Sequence, residues 1–302
     1  MAAIGKQASA GSLPSPARPD YDASLQSLLR PDRVSPGGRW SVFLGDAPPS
    51  TELLLAECAR LAYCRFEEDP AIGEQLRAAL ARVGFAKAQC FDAADTGSRG
   101  FAAYDPAQRR AVVAFRGTQS DQIRDIALDL QVAAEPWSTG GTVHRGFATA
   151  ARAILPEVGR WLDLEAAQRS SLLLAGHSLG AALAVLAASL WKTDTVAAFG
   201  CPRVGNALFA RSVAASNIDR YCNCCDVVCR LPPESQWYTH AGTRRYINRL
   251  GVRLADPTPA AIAADQLAAR TDYLLRYSWR FATAGARELA DHSMPNYLRA
   301  FL

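Results

Sequence analysis

Several features that would point to a membrane span, a leader peptide or a nucleic-acid partner are missing from this sequence. A membrane-spanning helix needs about 18 or more uncharged apolar residues in a row, and the sequence has no such run. The stretch that comes nearest, 172–191, contains a histidine, a serine and two glycines. The first twenty residues lack the apolar core of a signal peptide, so a cytoplasmic location is expected, with export by a non-classical route as the alternative. The net charge of +4 is small for 302 residues. Since no dense Lys/Arg block is interleaved with aromatics, no nucleic-acid partner is expected.

Cysteine is present eight times, but the spacing does not resemble the disulfide framework of a small secreted domain. Reduced and mostly buried thiols are the expected state. The densest group, "CNCCDVVC" from Cys222 to Cys229, lacks the two separated C-x-x-C pairs that are typical of zinc sites. No metal and no cofactor are therefore expected. The oligomeric state is not readable from the sequence.

The beginning of the chain has a loop-like composition. Residues 1–49 are rich in Ala, Ser, Gly and Pro, and they predict an N-terminal extension that is partly disordered. Helices are predicted at "STELLLAECARLAYC", where Ser50 or Thr51 is a cap, and at "PAIGEQLRAALARVG", which Pro70 opens and Gly84 closes. No internal repeat or linker follows, so residues 50–302 are predicted to form one domain.

Strand-like and helix-like segments alternate in the rest of the chain. The strand-like segments "FAKAQCFDA", "RGFAAYD" and "RRAVVAFRG" come first, followed by the helix-like "ATAARAILPEVGRWL". Strand 171–175, helix 179–191 and strand 195–199 come next, and "DRYCN" and "RRYINRL" are further strands. This order predicts an α/β fold with a mixed, mostly parallel central sheet and helices on both faces.

A polar pair interrupts the apolar stretch "SLLLAGHSLGAALAVLAASLW". Its residues Gly176-His177-Ser178-Leu179-Gly180 fit G-x-S-x-G, the nucleophile elbow of α/β-hydrolases. The sharp turn exposes a serine hydroxyl, and the glycines are needed because the strand and the helix approach closely there. The serine then lies at a helix N-terminus, where backbone N–H groups face a developing oxyanion. Ser178 is the candidate nucleophile.

A serine nucleophile needs a base and an acid that orients the base. In α/β-hydrolases both follow the serine, in the order acid and then histidine, and two of the four histidines follow Ser178. Asp226 lies just beyond a predicted strand and is the candidate acid. His292, in a loop after every strand, is preferred as the base, and His240 is interpreted as a structural histidine. Asp291 is interpreted as a helix cap or a solvated charge.

The strand "AVVAFRGT" offers the second part of an oxyanion hole. In a hydrolase of this kind the loop after an earlier strand supplies one donor, and the residue after the nucleophile supplies the other. Thr118 is the candidate for the first role, through its backbone N–H, and Leu179 for the second. The alternative for Thr118 is an ordinary turn residue.

The chain resembles the class 3, or fungal-type, lipase family. The resemblance rests on "AVVAFRGT", "VHRGF", "GHSLGAALA", "FGCPRVGN", "DVVCRLPP" and "DHSMPNY", which occur in the family's order over about residues 50–300. It implies an α/β-hydrolase fold, with Ser178 as nucleophile, Asp226 as acid and His292 as base. The same resemblance implies that Thr118 and Leu179 form the oxyanion hole.

The resemblance also implies a lid, a short helix after the oxyanion strand that opens on a lipid surface. Here that segment is "QSDQIRDIALDLQVAAEPW", in which Ile123, Ile126, Ala127 and Leu130 can form one apolar stripe. Many family members have a tryptophan near Ile126 and this chain has none, so strong interfacial activation is not implied. A surface helix that does not move is the alternative.

A helix-like insertion at 251–290 departs from the family pattern. A cap helix over the acyl pocket is the preferred interpretation, and an amphipathic helix on a membrane surface is the alternative, because arginines flank its aromatics.

The function expected from the residues and the resemblance is that of a serine carboxylic-ester hydrolase, a lipase that cleaves acylglycerols or related lipid esters through an acyl-enzyme. Its expected partners are a lipid ester substrate and, transiently, a lipid interface. A phospholipase, a short-chain esterase and a catalytically silent lipase-like scaffold are the alternatives.

Overall fold

The computed structural model describes residues 20–35, 41–117 and 133–302. Within these ranges the helices are α1 (Leu25–Leu29), α2 (Thr51–Leu61), α3 (Pro70–Arg82), α4 (Arg145–Leu164), α5 (Leu179–Leu190), α6 (Ala207–Ser212), α7 (Pro259–Tyr277), α8 (Arg287–Ala290) and α9 (Met294–Leu298). The strands are β1 (Lys87–Ala93), β2 (Ser98–Asp105), β3 (Arg110–Phe115), β4 (Ala134–Pro136), β5 (Thr142–His144), β6 (Ser171–His177), β7 (Thr195–Phe199), β8 (Ile218–Asn223), β9 (Thr243–Ile247) and β10 (Arg253–Leu254). None of the helices in these ranges is long and apolar enough to cross a bilayer.

The central sheet has the strand order β1-β2-β3-β6-β7-β8-β9-β10. Its strands β3, β6, β7, β8 and β9 run parallel, whereas β1, β2 and β10 pair antiparallel at the two sides. The prediction of a mixed, mostly parallel sheet is confirmed. Carboxyl ends of parallel strands meet at one edge, so the residues that follow β3, β6, β7 and β8 share that edge.

Both faces of this sheet are covered. In β3, Val112 packs in one apolar cluster with α2 and α9, and Val113 packs in another with α4 and α5. Neighbouring strand residues point to opposite faces, so burial on both sides requires a nearly continuous apolar strand. Helix α5 is apolar around its whole circumference, and almost all of it is buried.

The caps predicted for the helices that begin near Ser50 and Pro70, which are α2 and α3 of the structure, are confirmed. The Ser50 side chain accepts a hydrogen bond from the Leu53 N–H at the start of α2. Pro70 is the first residue of α3, and Gly84 follows its end with φ +102°. Serine satisfies a free N–H of the first turn, and glycine adopts the left-handed backbone that ends a helix.

The described residues before the predicted boundary at residue 50 contact the rest of the fold. Ser27 donates to the Ser293 hydroxyl at 2.9 Å, and Val42 is buried in the cluster with α2. The division into an extension 1–49 and a domain 50–302 stays a prediction, and residues 1–19 and 36–40 lie outside the described residues.

Helix α7 forms about half of the insertion. Its contacts run to the loop that carries Asp226: Ala269 packs on the thiols of Cys224 and Cys225, and the Gln266 amide donates to the Cys224 carbonyl at 2.7 Å. The helix-like character predicted for 251–290 is confirmed. A position over the acyl pocket stays a prediction.

Candidate active site

Ser178 occupies the sharp turn between β6 and α5. Its backbone has φ +58° and ψ −125°, a conformation that L-residues rarely adopt, and it directly precedes the first residue of the helix. A Cβ at Gly176 would lie 2.1 Å from the Gly180 carbonyl oxygen, and one at Gly180 would lie 2.1 Å from the Phe115 carbonyl oxygen. Neither position has room for a side chain, as the motif predicts. The turn therefore presents Ser178 at the edge where the parallel strands end.

We expect Gly180→Ala to destabilise the protein strongly, because the added methyl group would overlap the backbone of β3. A loss of about 2–3 kcal/mol in the free energy of unfolding is expected from such overpacking. Gly285→Ala is the matched control, since a Cβ there meets nothing within 4 Å. Urea unfolding of both variants measures the difference. Equal stability of the two would contradict the close approach.

His292 and Asp226 are in direct contact at this edge. The imidazole Nδ1 lies 3.0 Å and 2.9 Å from the two carboxylate oxygens of Asp226, and both side chains are buried. The Asp226 side chain also accepts the Val228 N–H. Gly200, at the end of β7, adjoins the pair: a Cβ there would lie 2.9 Å from Asp226 Oδ2 and 3.0 Å from the imidazole. The pair therefore lies against the end of β7.

The remaining ring nitrogen of His292 is the one that a serine would use. Nε2 is buried and has no hydrogen-bond partner among the described residues. The His292 ring packs 4.4 Å from the ring of His177, the neighbour of Ser178 in sequence. The Ser178 N–H donates to the Phe199 carbonyl, one residue before Gly200. The three predicted side chains thus come to the same edge of the sheet.

Tyr297 is a residue of this site that sequence reasoning missed. Its hydroxyl donates to Asp226 Oδ2 at 2.5 Å and accepts the Asn223 N–H at 3.1 Å. Burial acts to raise the pKa of Asp226, but the His292 ring and these hydrogen bonds outweigh it, so the pKa lies below its ordinary value. The sequence signal that could have found it is the apolar and aromatic helix after His292. This helix places the phenol of Tyr297, five residues after His292, on the Asp226 carboxylate.

Replacing this phenol tests its effect on Asp226. Tyr297→Phe removes one hydrogen bond to a carboxylate, and we expect a loss of about 1.5–3 kcal/mol in the free energy of unfolding. A carboxyl with a lowered folded pKa stabilises above its unfolded pKa, and this contribution is lost as the pH falls through the folded value. The variant raises the pKa of Asp226 in the folded state, because the charged carboxylate loses a hydrogen bond. Its acid-unfolding midpoint, followed by circular dichroism, should therefore lie at a higher pH than that of the parent; a midpoint at lower or equal pH would contradict the role.

His177 packs against His292 as a neutral ring. Burial, followed by the neighbouring His292, lowers the pKa of His177 well below its ordinary value. Its Nδ1 lies 2.6 Å from the Tyr63 hydroxyl. Gly117 adjoins this group, since a Cβ there would lie 2.4 Å from that hydroxyl and 2.9 Å from the Ser178 Cβ. The first half of the polar pair therefore supports the site by packing and a hydrogen bond.

The other histidine after the serine lies apart from this pair. His240 has Nε2 2.9 Å from the Cys229 carbonyl oxygen. Burial and then the charge of Arg220 lower its pKa to about 3, so the ring is neutral at physiological pH. A structural histidine was predicted, and these contacts agree with it.

The interpretation of Asp291 as a cap or a solvated charge is wrong. Its side chain is fully buried and forms an ion pair with Arg287 at 2.8 Å. It also accepts hydrogen bonds from the Tyr21 hydroxyl and from the Cys225 N–H. A buried carboxylate needs such partners, and the bond from Cys225 connects the chain just before Asp226 to the chain just before His292.

Of the two oxyanion candidates, Leu179 lies among the described residues and Thr118 does not. Leu179 is the first residue of α5, and N–H groups of a first helical turn have no acceptor within the helix. Thr118 lies outside the described residues, as does most of the predicted lid segment with Ile123, Ile126, Ala127 and Leu130. The described chain resumes at residue 133, directly before β4.

The cysteines are all unbridged, and most are buried, as predicted. Cys224, Cys225 and Asp291 bring three ligand-type atoms within 4.8 Å of one another. The Asp291 carboxylate, however, is already occupied by Arg287, Tyr21 and the Cys225 N–H. A cation there would have to displace a guanidinium, so the donor set does not fit a metal site.

The chain is similar to known lipases and a phospholipase over part of its length. Residues 112–236 match the family model described as lipase (class 3), a stretch that includes Ser178 and Asp226 but not His292. A secreted mono- and diacylglycerol lipase A of Penicillium cyclopium is 31% identical over 166 residues, covering 52% of this chain and 54% of the relative. A phospholipase A1-II 4 of Oryza sativa subsp. japonica is 31% identical over 161 residues, covering 42% and 41%.

A solved structure is also similar. The lipase from Rhizopus microsporus var. chinensis is 26% identical, with a TM-score of 0.54, over 70% of this chain and 78% of that chain. The sheet order and the strained serine before α5 define an α/β-hydrolase fold. The part of the chain that carries Ser178 and Asp226 is similar to class 3 lipases. It spans about half the length of the curated relatives named here.

The prediction of a cytoplasmic location is wrong. It rested on the lack of an apolar leader in the first twenty residues. The Penicillium relative is a secreted enzyme, and the comparison points to export.

Proposed function

We propose that this chain is a serine carboxylic-ester hydrolase that cleaves acylglycerols or related lipid esters. The observation that carries the proposal is the buried His292–Asp226 pair at the same sheet edge as a serine in a strained turn. Strain of this kind persists only where the surrounding fold enforces it, and it is concentrated at functional sites. The lipase and phospholipase relatives support an ester of a lipid as the substrate class.

The mechanism assigns one task to each group. His292 Nε2 takes the proton of the Ser178 hydroxyl as its oxygen attacks the ester carbonyl carbon. Asp226, bonded to Nδ1, holds the ring with Nε2 free and stabilises the imidazolium. The N–H groups of Thr118 and Leu179 bind the oxyanion of the tetrahedral intermediate. His292 then returns the proton to the leaving alcohol, and water hydrolyses the acyl-enzyme by the same steps.

A fluorophosphonate probe tests this proposal directly. The probe phosphonylates a serine that is activated by a base, so the parent should be labelled and Ser178→Ala should not. The alternative of a catalytically silent scaffold predicts no labelling of the parent. Labelling that persists in Ser178→Ala would assign the reactive group to another residue.

The substrate itself is tested by a panel of esters. One relative is named an acylglycerol lipase and another a phospholipase. A lipase, a phospholipase and a short-chain esterase are therefore the candidate activities. Rates on p-nitrophenyl butyrate, p-nitrophenyl palmitate, emulsified diacylglycerol and triacylglycerol, and phosphatidylcholine separate the three. The proposal expects the acylglycerols to be the best substrates. A rate confined to the butyrate ester would favour a short-chain esterase.

We also propose that the surface formed by α7 and the following turn contacts a lipid interface. Leu267, Leu274 and Leu275 project from α7 into solvent, and Trp279 and Phe281 follow at 70% and 101% exposure. Arg280 lies over the Trp279 ring at 5.2 Å. Exposed apolar side chains together with arginines match an interface of acyl chains and anionic headgroups.

Vesicle flotation measures this contact. The double variant Trp279→Ser, Phe281→Ser removes two large apolar side chains, and we expect at least about a tenfold loss of partitioning into vesicles of phosphatidylcholine and phosphatidylglycerol at low salt. Leu164→Ser is the matched control, because Leu164 is 71% exposed at the end of α4, outside this surface. If the parent does not float, or if the double variant floats as well as the control, this contact is ruled out.

A further inference from the structure

Two arginines lie opposite each other on neighbouring parallel strands. Arg220 of β8 is the register partner of Arg244 of β9. Partners in register project from the same face of a sheet, and like charges at such positions destabilise it. On the same face, two residues further along each strand, are Cys222 and Tyr246. No acid of either strand lies between the two guanidinium groups, so this face of the sheet carries a concentrated positive charge.

Arg220 is the unusual member of this pair, because it is buried and not fully hydrogen-bonded. Its residue is only 7% exposed, and its Nε has no hydrogen-bond partner among the residues that the structure describes. In the described parts of the chain no carboxylate lies within ion-pair distance of its guanidinium. A buried arginine is normally paired, since an isolated charge in the interior costs several kcal/mol. By contrast, Arg245 on the opposite face is paired with Asp219 at 2.7 Å.

The unpaired guanidinium lines a cavity of about 760 Å³ that opens to solvent. The arginines of its wall are Arg203, Arg220, Arg230, Arg244 and Arg245, of which Arg245 is already paired with Asp219. Arg203 also has a buried Nε without a partner among the described residues, although its Nη1 donates to the Arg230 and Pro232 carbonyls. After burial, the charge of Arg220 is the largest cause that lowers the pKa of His240. The cavity is therefore positive in its field as well as in its composition.

The acids in the wall do not neutralise this charge. Asp226 is bonded to His292 and Tyr297, and Glu234 reaches Arg203 only at 3.5 Å with most of its side chain in solvent. Asp256 is the third acid of the wall. The thiol of Cys222, on the same face of the sheet as Arg220, is a further group of the wall that could become an anion. A hydrogen bond with Cys229, and then the charge of Arg220, lower its pKa. A thiolate is a soft, weakly hydrogen-bonding partner for a planar guanidinium fork.

We propose that this cavity binds a phosphate group, either free phosphate or the phosphomonoester headgroup of a lipid. Arginine forks match the several oxygens of a tetrahedral dianion, and one such anion can bridge Arg220, Arg244 and Arg203. The cavity adjoins the proposed catalytic site through Asp226, but neither Ser178 nor His292 is among the described residues of its wall. It goes beyond ester hydrolysis and does not depend on it.

Calorimetric titration of the full chain with inorganic phosphate, at ionic strength matched with chloride, tests the proposal. Saturable binding of one phosphate is expected, and Arg220→Met should weaken it at least about tenfold. Arg211→Met is the matched control, because Arg211 is an exposed arginine of α6 away from the cavity, and it should bind as the parent does. Equal binding by the parent and Arg220→Met, or no binding of phosphate or of the lipid below, would overturn the proposal.

A thermal scan separates binding from folding. Without phosphate, Arg220→Met should be at least as stable as the parent, because the variant removes an unpaired buried charge. With phosphate, only the parent and the control should gain in Tm. A large loss of stability in phosphate-free buffer would show that Arg220 is paired within the protein, for example with the Cys222 thiolate, and would overturn the proposal. Arg244→Gln, at an exposed position of the same cavity, should weaken binding by about threefold or more and is a second test of the site; binding equal to that of the parent would contradict the proposal.

The source of the phosphate is decided with short-chain lipids in the Ser178→Ala protein, which keeps an ester intact. Dihexanoyl phosphatidic acid that binds at least about tenfold tighter than inorganic phosphate would assign a lipid headgroup. Similar affinities would assign free phosphate. Dihexanoyl phosphatidylcholine lacks the dianionic group and should bind at least about tenfold more weakly than phosphatidic acid in either case. Equal binding of both lipids would overturn the recognition of the phosphomonoester.

Discussion

Ser178→Ala is expected to reduce ester hydrolysis by about 10³- to 10⁶-fold while the protein remains folded. The hydroxyl is the only group in the proposed mechanism that forms a covalent bond to the acyl carbon, so no neighbouring side chain replaces it. Initial rates on p-nitrophenyl butyrate measure the loss, and the circular dichroism spectrum and Tm serve as the controls for folding. Substantial activity in the folded variant would end the proposal that Ser178 is the nucleophile.

Ser178→Gly gives the same prediction a second, independent readout. Alanine keeps the Cβ in the strained backbone at φ +58°, whereas glycine adopts this conformation freely. Strain of this kind is worth about 1–3 kcal/mol, and the greater flexibility of an unfolded glycine offsets part of it. We therefore expect Ser178→Gly to be more stable than Ser178→Ala by about 1 kcal/mol, and both to be inactive. A glycine variant that is less stable than the alanine variant would mean that the turn is not strained.

His292→Ala is expected to lower kcat by about three orders of magnitude or more, and His240→Ala by less than about tenfold. His292 bonds Asp226 through Nδ1, whereas His240 contacts the Cys229 carbonyl and is held neutral in a half-buried position. The two substitutions remove the same ring, so each is a control for the other. The ranking is measured from kcat and KM on one soluble ester, with urea unfolding as the control for stability.

A third substitution tests the acid of the same mechanism. Asp226→Asn should lower kcat by about 10⁴-fold with little change in KM, because the amide does not favour the ring tautomer that leaves Nε2 free. A larger loss in His240→Ala than in His292→Ala would transfer the role of base to His240. An unchanged rate in Asp226→Asn would remove the carboxylate from the mechanism.

The parts of the site that could be predicted from sequence are those that depend on neighbours along the chain. Gly176 and Gly180 flank the serine because the turn itself leaves no room for Cβ atoms, and the five residues that create the constraint also display it. The order of serine, acid and histidine then limited the base to two candidates. His292 was preferred over His240 on its place in the chain, and the contact with Asp226 agrees with that preference.

The parts that were missed depend on residues far apart in sequence. Tyr297 reaches Asp226 across a separation of 71 residues, and Tyr21 reaches Asp291 across 270. Asp291 was taken for a cap or a solvated charge because its sequence neighbours do not show that Arg287 and Cys225 N–H enclose it. The location was predicted wrongly for a different reason: it was argued from a missing leader, and an absence at one end of a chain carries little physical information.

By itself, the sequence determined the alternation of strands and helices, the glycine-flanked turn and the types of side chain available to it, because each follows from propensity and sterics within a few residues. Only the tertiary structure decided which buried charges are paired. Asp291 meets Arg287, while Arg220 meets another arginine, Arg244, across two strands joined by a loop of nearly twenty residues (224–242). The pairing of strands fixes such contacts, and the free energy that selects a register comes from the whole buried face and not from the residues that face each other.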